Sequence, residues 1–106
     1  MQTAFVYILQ CADGSYYVGS HRGDDVATRV GEHQAGKYPG AYTFARRPVT
    51  LVWSEWFPRF DEAVLFERRV KGWSRAKKEA LIRGDFAALV ELAKRPGARR
   101  KLRGEA

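Results

Sequence analysis

Residues 5–33 read FVYILQCADGSYYVGSHRGDDVATRVGEH, and the fold turns on how this stretch pairs with itself. Two short aromatic-bearing segments, Phe5-Val6-Tyr7 and Tyr17-Val18-Gly19, flank an Asp13-Gly14 turn. Residues 3–11 are rich in β-branched and aromatic types and predict a strand, with residues 15–20 as its hairpin partner. The turn decides which way the tyrosines face. A two-residue Asp13-Gly14 turn pairs Tyr17 with Gln10 and puts Tyr7 and Tyr17 on opposite faces. A three-residue loop, Ala12-Asp13-Gly14 with Gly14 left-handed, pairs Tyr17 with Leu9 and Tyr7 with Gly19, so both tyrosines share a face. Spacing alone allows both.

Beyond the hairpin, residues 21–25 read as a polar loop. Asp24 or Asp25 offers an N-cap for a helix of residues 25–35, closed by Gly36. On it Val26, Arg29, Val30 and His33 fall at i, i+3, i+4 and i+7, one stripe of the 3.6 period. The valines anchor the helix on the sheet, and Arg29 and His33 lie along the edge of the same stripe. Residues 37–48 hold two Pro, a Gly, three aromatics and three cations, and read as a long surface loop. Residues 49–56 predict a third strand stopped by Pro58. Helices follow over 61–71 (Asp61 as cap, Gly72 as stop), 74–83 (ended by Gly84) and 86–94 (capped by Asp85). The last carries an apolar face of Phe86, Leu89, Val90 and Ala93. The fold class expected is α+β: a three-stranded, mostly antiparallel sheet flanked by helices, an α/β sandwich with an additional C-terminal helix.

A length of 106 residues bounds the chain to one domain with a modest core, read as residues 1–95, with 96–106 as a basic, disordered tail. No apolar run approaches the roughly 20 residues of a spanning helix, so neither a membrane partner nor a signal peptide is expected. A single cysteine, Cys11, rules out an internal disulfide and fits a reducing, cytoplasmic setting. The net charge of +7 is unevenly spread. Residues 1–67 carry 6 Lys/Arg against 8 Asp/Glu, and residues 68–106 carry 13 against 4. Such asymmetry is the electrostatic footprint of a polyanion binder. One cysteine and two histidines without ligand spacing argue against zinc.

Glu67 stands out on its helix because Ala63, Val64 and Val70 lie at ±3 or ±4 around it. A carboxylate beside an apolar stripe needs a cation, a donor or a metal. A salt bridge with Arg29 or Lys71 is one reading and a metal ligand the other.

These residues, in this order and spacing, resemble the GIY-YIG nuclease family over about residues 4–83. That fold is shared by certain homing and restriction endonucleases and by one incision half of bacterial excision-repair nucleases. The resemblance is strongest to its small single-domain bacterial members, through Arg68-Arg69-Val70-Lys71-Gly72-Trp73-Ser74-Arg75-Ala76-Lys77-Lys78. It implies that Glu67 is the single ligand of one divalent ion, Mg²⁺ or Mn²⁺. It implies that Arg29 stabilises the charged transition state, that Tyr17 contacts or deprotonates the nucleophilic water, and that Tyr7 orients that water and the phosphate. His33 falls where endonuclease members carry a histidine. A shared site needs both tyrosines on one face, which selects the three-residue loop. Phe5 stands where the family name has Gly, Ser20-His21 replaces the Lys of repair members, and the loop of residues 21–25 is about two residues longer than usual.

The function expected is a metal-dependent endonuclease acting on DNA in repair or processing, directed by structure rather than sequence, with no small-molecule cofactor. Nucleic-acid contacts are expected from His21, Lys37, Tyr42, Arg46 and Arg47 on one side, and from Lys71, Arg75, Lys77 and Lys78 on the other. The alternatives are a nucleic-acid-binding module with little hydrolysis, and an RNA nuclease.

Overall fold

In the computed structural model, which describes residues 3–23 and 25–93, the described chain forms two units that divide between Gly72 and Trp73. The first holds a sheet of three strands, β1 (Ala4–Gln10), β2 (Tyr16–Arg22) and β3 (Thr50–Phe57), with helices α1 (Val26–Gln34) and α2 (Phe60–Lys71). The strand order is β2-β1-β3 and both pairings are antiparallel. The central strand β1 is almost entirely buried because it reads apolar on both faces.

The β1–β2 register pairs Leu9 with Tyr17 and Tyr7 with Gly19, the three-residue-loop alternative. Gly14 N–H donates to Cys11 O (2.9 Å), Cys11 N–H donates to Ser15 O (2.8 Å), and Gly14 takes φ +85°. This is a turn followed by a left-handed bulge residue, which glycine accommodates without a Cβ penalty. Asp13 Oδ1 accepts from Ser15 N–H (3.0 Å) and Oγ (2.6 Å), fixing the loop from inside.

Each face of the sheet takes one helix. On the face of Tyr7 and Leu9, a buried cluster with Cys11 and Val49 is covered by Val26 and Val30 of α1. Asp25 caps α1 by accepting from Thr28 N–H (3.2 Å). At the other end Gly36 N–H donates to His33 O and Lys37 N–H to Glu32 O, with Gly36 at φ +76°. The last residue of α1, Gln34, accepts from Val49 N–H (2.8 Å) and donates to Val49 O (3.3 Å), stitching the helix end to the start of β3. The opposite face takes α2, whose Phe66 ring meets Trp53 and Phe57 of β3.

Three local expectations are corrected. β2 runs on through His21 and Arg22, because Phe5 and Ala4 at the start of β1 pair with them. The N-cap of α2 is Arg59 and not Asp61. Asp61 lies inside the first turn, paired with Arg59 (2.9 Å) and accepting from Glu62 N–H (2.9 Å). The loop of residues 37–48 contains a 3₁₀ turn, Phe44–Arg46.

The second unit holds α3 (Arg75–Arg83) and α4 (Phe86–Ala93). Ser74 caps α3, accepting from Lys77 N–H (3.2 Å). Gly84, at φ +72°, ends it, and Asp85 caps α4 through Ala88 N–H (3.0 Å). The apolar face of α4 is only partly covered, with Phe86 and Val90 exposed. No helix among the described residues is long and apolar enough to cross a membrane. The expected basic tail lies outside the described residues.

Candidate active site

The register brings Tyr7 of β1, Tyr17 of β2, and Arg29 and His33 of α1 together on one face. Gly19 makes this possible. A Cβ built there would lie 2.6 Å from the Tyr7 hydroxyl oxygen and 3.0 Å from the Tyr17 ring, so the Tyr7 ring lies across a position that only glycine leaves open.

Tyr7 is fully buried and His33 is 3% exposed. Arg29 Nε donates to the Tyr7 hydroxyl oxygen (3.3 Å), and His33 Nε2 lies 3.0 Å from the same oxygen. The Tyr7 hydroxyl is buried, and among the described residues the one acceptor within its reach is His33 Nε2, so its hydrogen goes to Nε2. The imidazole proton is thereby assigned to Nδ1, which donates to Thr43 Oγ1 (2.9 Å). Thr43 is 1% exposed. Burial and then the nearby Arg29 charge push the His33 pKa down, which favours the neutral ring this tautomer needs. Burial pushes the Tyr7 phenol up to about 12; the Arg29 hydrogen bond opposes the rise and the Glu67 charge adds to it.

Tyr17 makes ring contacts on several sides, with His33 (5.3 Å), Tyr7 and Tyr42. Its hydroxyl has no hydrogen-bond partner among the described residues and is not sealed from solvent. Arg29 is held further by Tyr38 and Glu32. Its Nη1 donates to the Tyr38 hydroxyl and to Glu32 Oε1 (3.4 Å), and its guanidinium sits over the Tyr38 ring, 4.7 Å from the centre. Tyr38 also donates to Glu32 Oε1, and Lys37 pairs with Oε2 (3.1 Å). These donors, Tyr38 first and then Lys37, hold the Glu32 carboxyl down to about 2.

Glu67 stands apart from this network. It belongs to α2, and its Oε1 accepts from Ser20 Oγ, a residue that pairs with Val6 on the other face from Tyr7. Its Oε2 pairs with Lys71 (2.6 Å) one turn along the helix. Of the two expected salt-bridge partners, Lys71 is the one found. The carboxylate is 14% exposed, and the Ser20 hydroxyl adds a second hard oxygen donor beside it. One carboxylate with a neighbouring hydroxyl fits a weakly held Mg²⁺ or Mn²⁺ that keeps most of its waters.

The remaining nucleic-acid candidates divide between the units. His21 meets the Phe5 ring, and Lys37 lies beside Glu32. Arg46 lies over Tyr42, Arg47 over Phe44, and Lys71 on Glu67. Arg75, Lys77 and Lys78 belong to the second unit, where Arg75 pairs with Glu79 (3.1 Å) and Lys77 lies over the half-buried Trp73 ring (4.4 Å). Sequence reasoning does not reach Thr43, Glu32, Tyr38 or Ser20 as parts of the site. A buried histidine must satisfy both ring nitrogens, so a partner is required, but no spacing singles out Thr43 within a twelve-residue irregular loop.

Residues 3–80 match the family described as GIY-YIG catalytic domain. The chain is similar to a UPF0213 protein of Halobacterium salinarum, 51% identical over 77 residues that cover 72% of this chain and 95% of that one. A UPF0213 protein of Staphylococcus aureus is 44% identical over 84 residues, 78% of this chain and 98% of that one. Among solved structures, the NMR structure of protein EF2693 of E. faecalis aligns with a TM-score of 0.52 at 30% identity. That alignment covers 79% of this chain and 86% of that one.

Proposed function

The chain belongs to the GIY-YIG catalytic-domain family, and from that premise we propose that it is a divalent-metal-dependent endonuclease that hydrolyses DNA phosphodiester bonds. It selects substrates by structure rather than sequence, in DNA repair or processing within the cytoplasm. The observation that carries this reading is the hydrogen-bonded set Arg29–Tyr7–His33–Thr43 lying beside Tyr17 on one face.

GIY-YIG nucleases generally use divalent metal ions. Here Glu67 would hold one Mg²⁺ or Mn²⁺, with Ser20 beside it. Such an ion, when bound, supplies charge neutralisation at the phosphate and the leaving oxygen. The chain's own residues do the rest. Arg29, whose Nη2 has no partner among the described residues, meets a non-bridging oxygen as negative charge builds there. Tyr17 orients the attacking water through its solvent-facing hydroxyl. With a pKa of about 12, Tyr7 is no standing phenolate at neutral pH. Fully buried, Tyr7 does not meet the water; it holds Arg29 and His33 in position, and the water's proton leaves past the Tyr17 hydroxyl to solvent. By analogy with the family the products carry 5′-phosphate and 3′-hydroxyl ends. Lys37, Arg47, Lys71, Arg75, Lys77, Lys78 and His21 supply sequence-independent backbone contacts.

A second reading, a nucleic-acid-binding module with little hydrolysis, draws support from the partners already holding the key groups. Arg29 is engaged by Glu32 and Tyr38, and Glu67 by Lys71. The deciding test is cleavage of labelled duplex, single strand, flap, four-way junction and RNA with Mn²⁺, Mg²⁺ or chelator. Metal-dependent cutting that Arg29→Ala abolishes is the expected result. Salt-sensitive DNA binding with no cutting under any metal selects the module, and cutting confined to RNA makes the chain a ribonuclease.

A further inference from the structure

Tyr42 has one of the few exposed large aromatic rings, 42% exposed, and it is not loose. Its ring lies nearly parallel to that of Tyr17, at 19° with centres 6.3 Å apart. The Arg46 guanidinium lies over the Tyr42 ring, 3.8 Å from its centre. Arg46 is itself fixed within its plane: Nε donates to Asp13 Oδ2 (3.2 Å) and Nη1 to Tyr42 O (2.9 Å). Its carbonyl accepts from Ala12 N–H (2.9 Å), tying the loop of residues 37–48 to the β1–β2 turn.

These bonds change what Arg46 offers. A guanidinium with Nε on a carboxylate and Nη1 on a carbonyl is less free to grip a phosphate, and with one face on Tyr42 its other face remains for stacking, on a side chain 38% exposed. The assembly of Arg46, Tyr42 and Tyr17 is therefore a prearranged, cationic, planar surface that ends on a residue of the proposed catalytic set. A ligand suited to it is planar, has an electron-rich face and is attached to a phosphodiester. We infer that Tyr42 and Arg46 form a stacking site for an unpaired nucleobase one step from the scissile phosphate. The inference rests on the nuclease reading and deepens it, since a base inside a duplex has both faces covered and reaches such a surface only at an end, a flap, a gap or a single strand. The substrate class is thus nucleic acid with an unpaired nucleotide at the cut.

The test is an oligonucleotide carrying 2-aminopurine at each position in turn, mixed with the protein in EDTA so that the strand stays whole. Stacking quenches the fluorophore. The expected result is quenching confined to one or two adjacent positions of single-stranded or flap DNA and missing from duplex. Tyr42→Leu keeps the bulk but not the ring and weakens single-strand binding roughly 5- to 100-fold, whereas Tyr42→Trp retains it. Arg46→Gln reduces it to a smaller extent. Quenching at no position, or quenching that Tyr42→Leu leaves intact, overturns the inference. In a parallel cleavage assay, an abasic nucleotide at the quenched position is expected to slow cutting by a similar factor. Cutting indifferent to the abasic position refutes the stacking site and leaves the nuclease reading standing. Quenching without cutting of any substrate refutes the nuclease reading and leaves a base-stacking module.

Discussion

The sheet face under α1 and the face under α2 hold their polar groups in different ways. Under α1, Tyr7, His33 and Thr43 are buried and joined in one hydrogen-bonded line that Arg29 enters from the rim. Each member is oriented by the next, so forming the fold forms the site. Under α2, Glu67 is held by one flexible ammonium and one hydroxyl, and Lys71 is half exposed. That arrangement can exchange its cation without disturbing the core. The contrast separates what must be fixed before substrate arrives, the direction of a proton, from what must remain replaceable, the counter-charge of a metal-binding carboxylate.

Substitutions sharpen or break this contrast, and Arg29→Ala has the largest expected effect. It removes the donor to Tyr7 and the guanidinium aimed at the phosphate, and cleavage should fall ~10²–10³-fold in a single-turnover assay. Gly19→Ala follows. Its Cβ would overlap a Tyr7 ring that is buried on all sides, costing about 1–3 kcal/mol by urea denaturation. An unchanged midpoint would show that Tyr7 is free to move and that the buried line is not rigid. Thr43→Val keeps the shape but leaves His33 Nδ1–H unpartnered in the interior, about 1–2 kcal/mol, and Thr43→Ser should recover most of it. ¹⁵N chemical shifts of the ring should report the Nδ1–H tautomer in the wild type and in Thr43→Ser.

A smaller effect comes from pH. Because the folded His33 pKa lies below its ordinary value, the unfolded chain binds the proton more readily. Stability from this group is complete above about pH 6.5 and declines as the pH falls below it toward the folded pKa, a slope that His33→Asn should flatten. On the α2 side Lys71→Met should move the midpoint least, by ~0.3–0.5 kcal/mol or less, since the pair lies within one helix and its ammonium is half in water. A loss like that of Thr43→Val would erase the contrast between the faces.

Much of the α1 side is legible in the chain. The Asp13-Gly14 turn and the four-residue step from Arg29 to His33 are local patterns, and local geometry carries them into place, whereas the shared face of Tyr7 and Tyr17 follows from a register that spacing leaves open and the family resemblance selects. Asp25 and Gly36 bound α1 for the same reason. The continuation of β2 through Arg22 is less legible, because it depends on what Ala4 and Phe5 pair with rather than on the polarity of His21 and Arg22. Asp61 resembles a cap by residue type, yet it lies within the first turn, where its charge is still favoured by the helix dipole. Thr43 and Tyr38 reach the site from an irregular loop with no period to read. Glu67 is recognisable as a misplaced carboxylate, but its partner Ser20 is 47 residues away and belongs to another element.

The most direct test of the account compares Glu67→Gln with the wild type in metal-dependent cleavage of a labelled flap substrate, at a temperature where both are folded. If the carboxylate is the replaceable half of a nuclease site, cutting is lost while the thermal midpoint stays within about a degree or two. Cutting that survives in Glu67→Gln would contradict the account, because the charge under α2 would then have no part in the reaction.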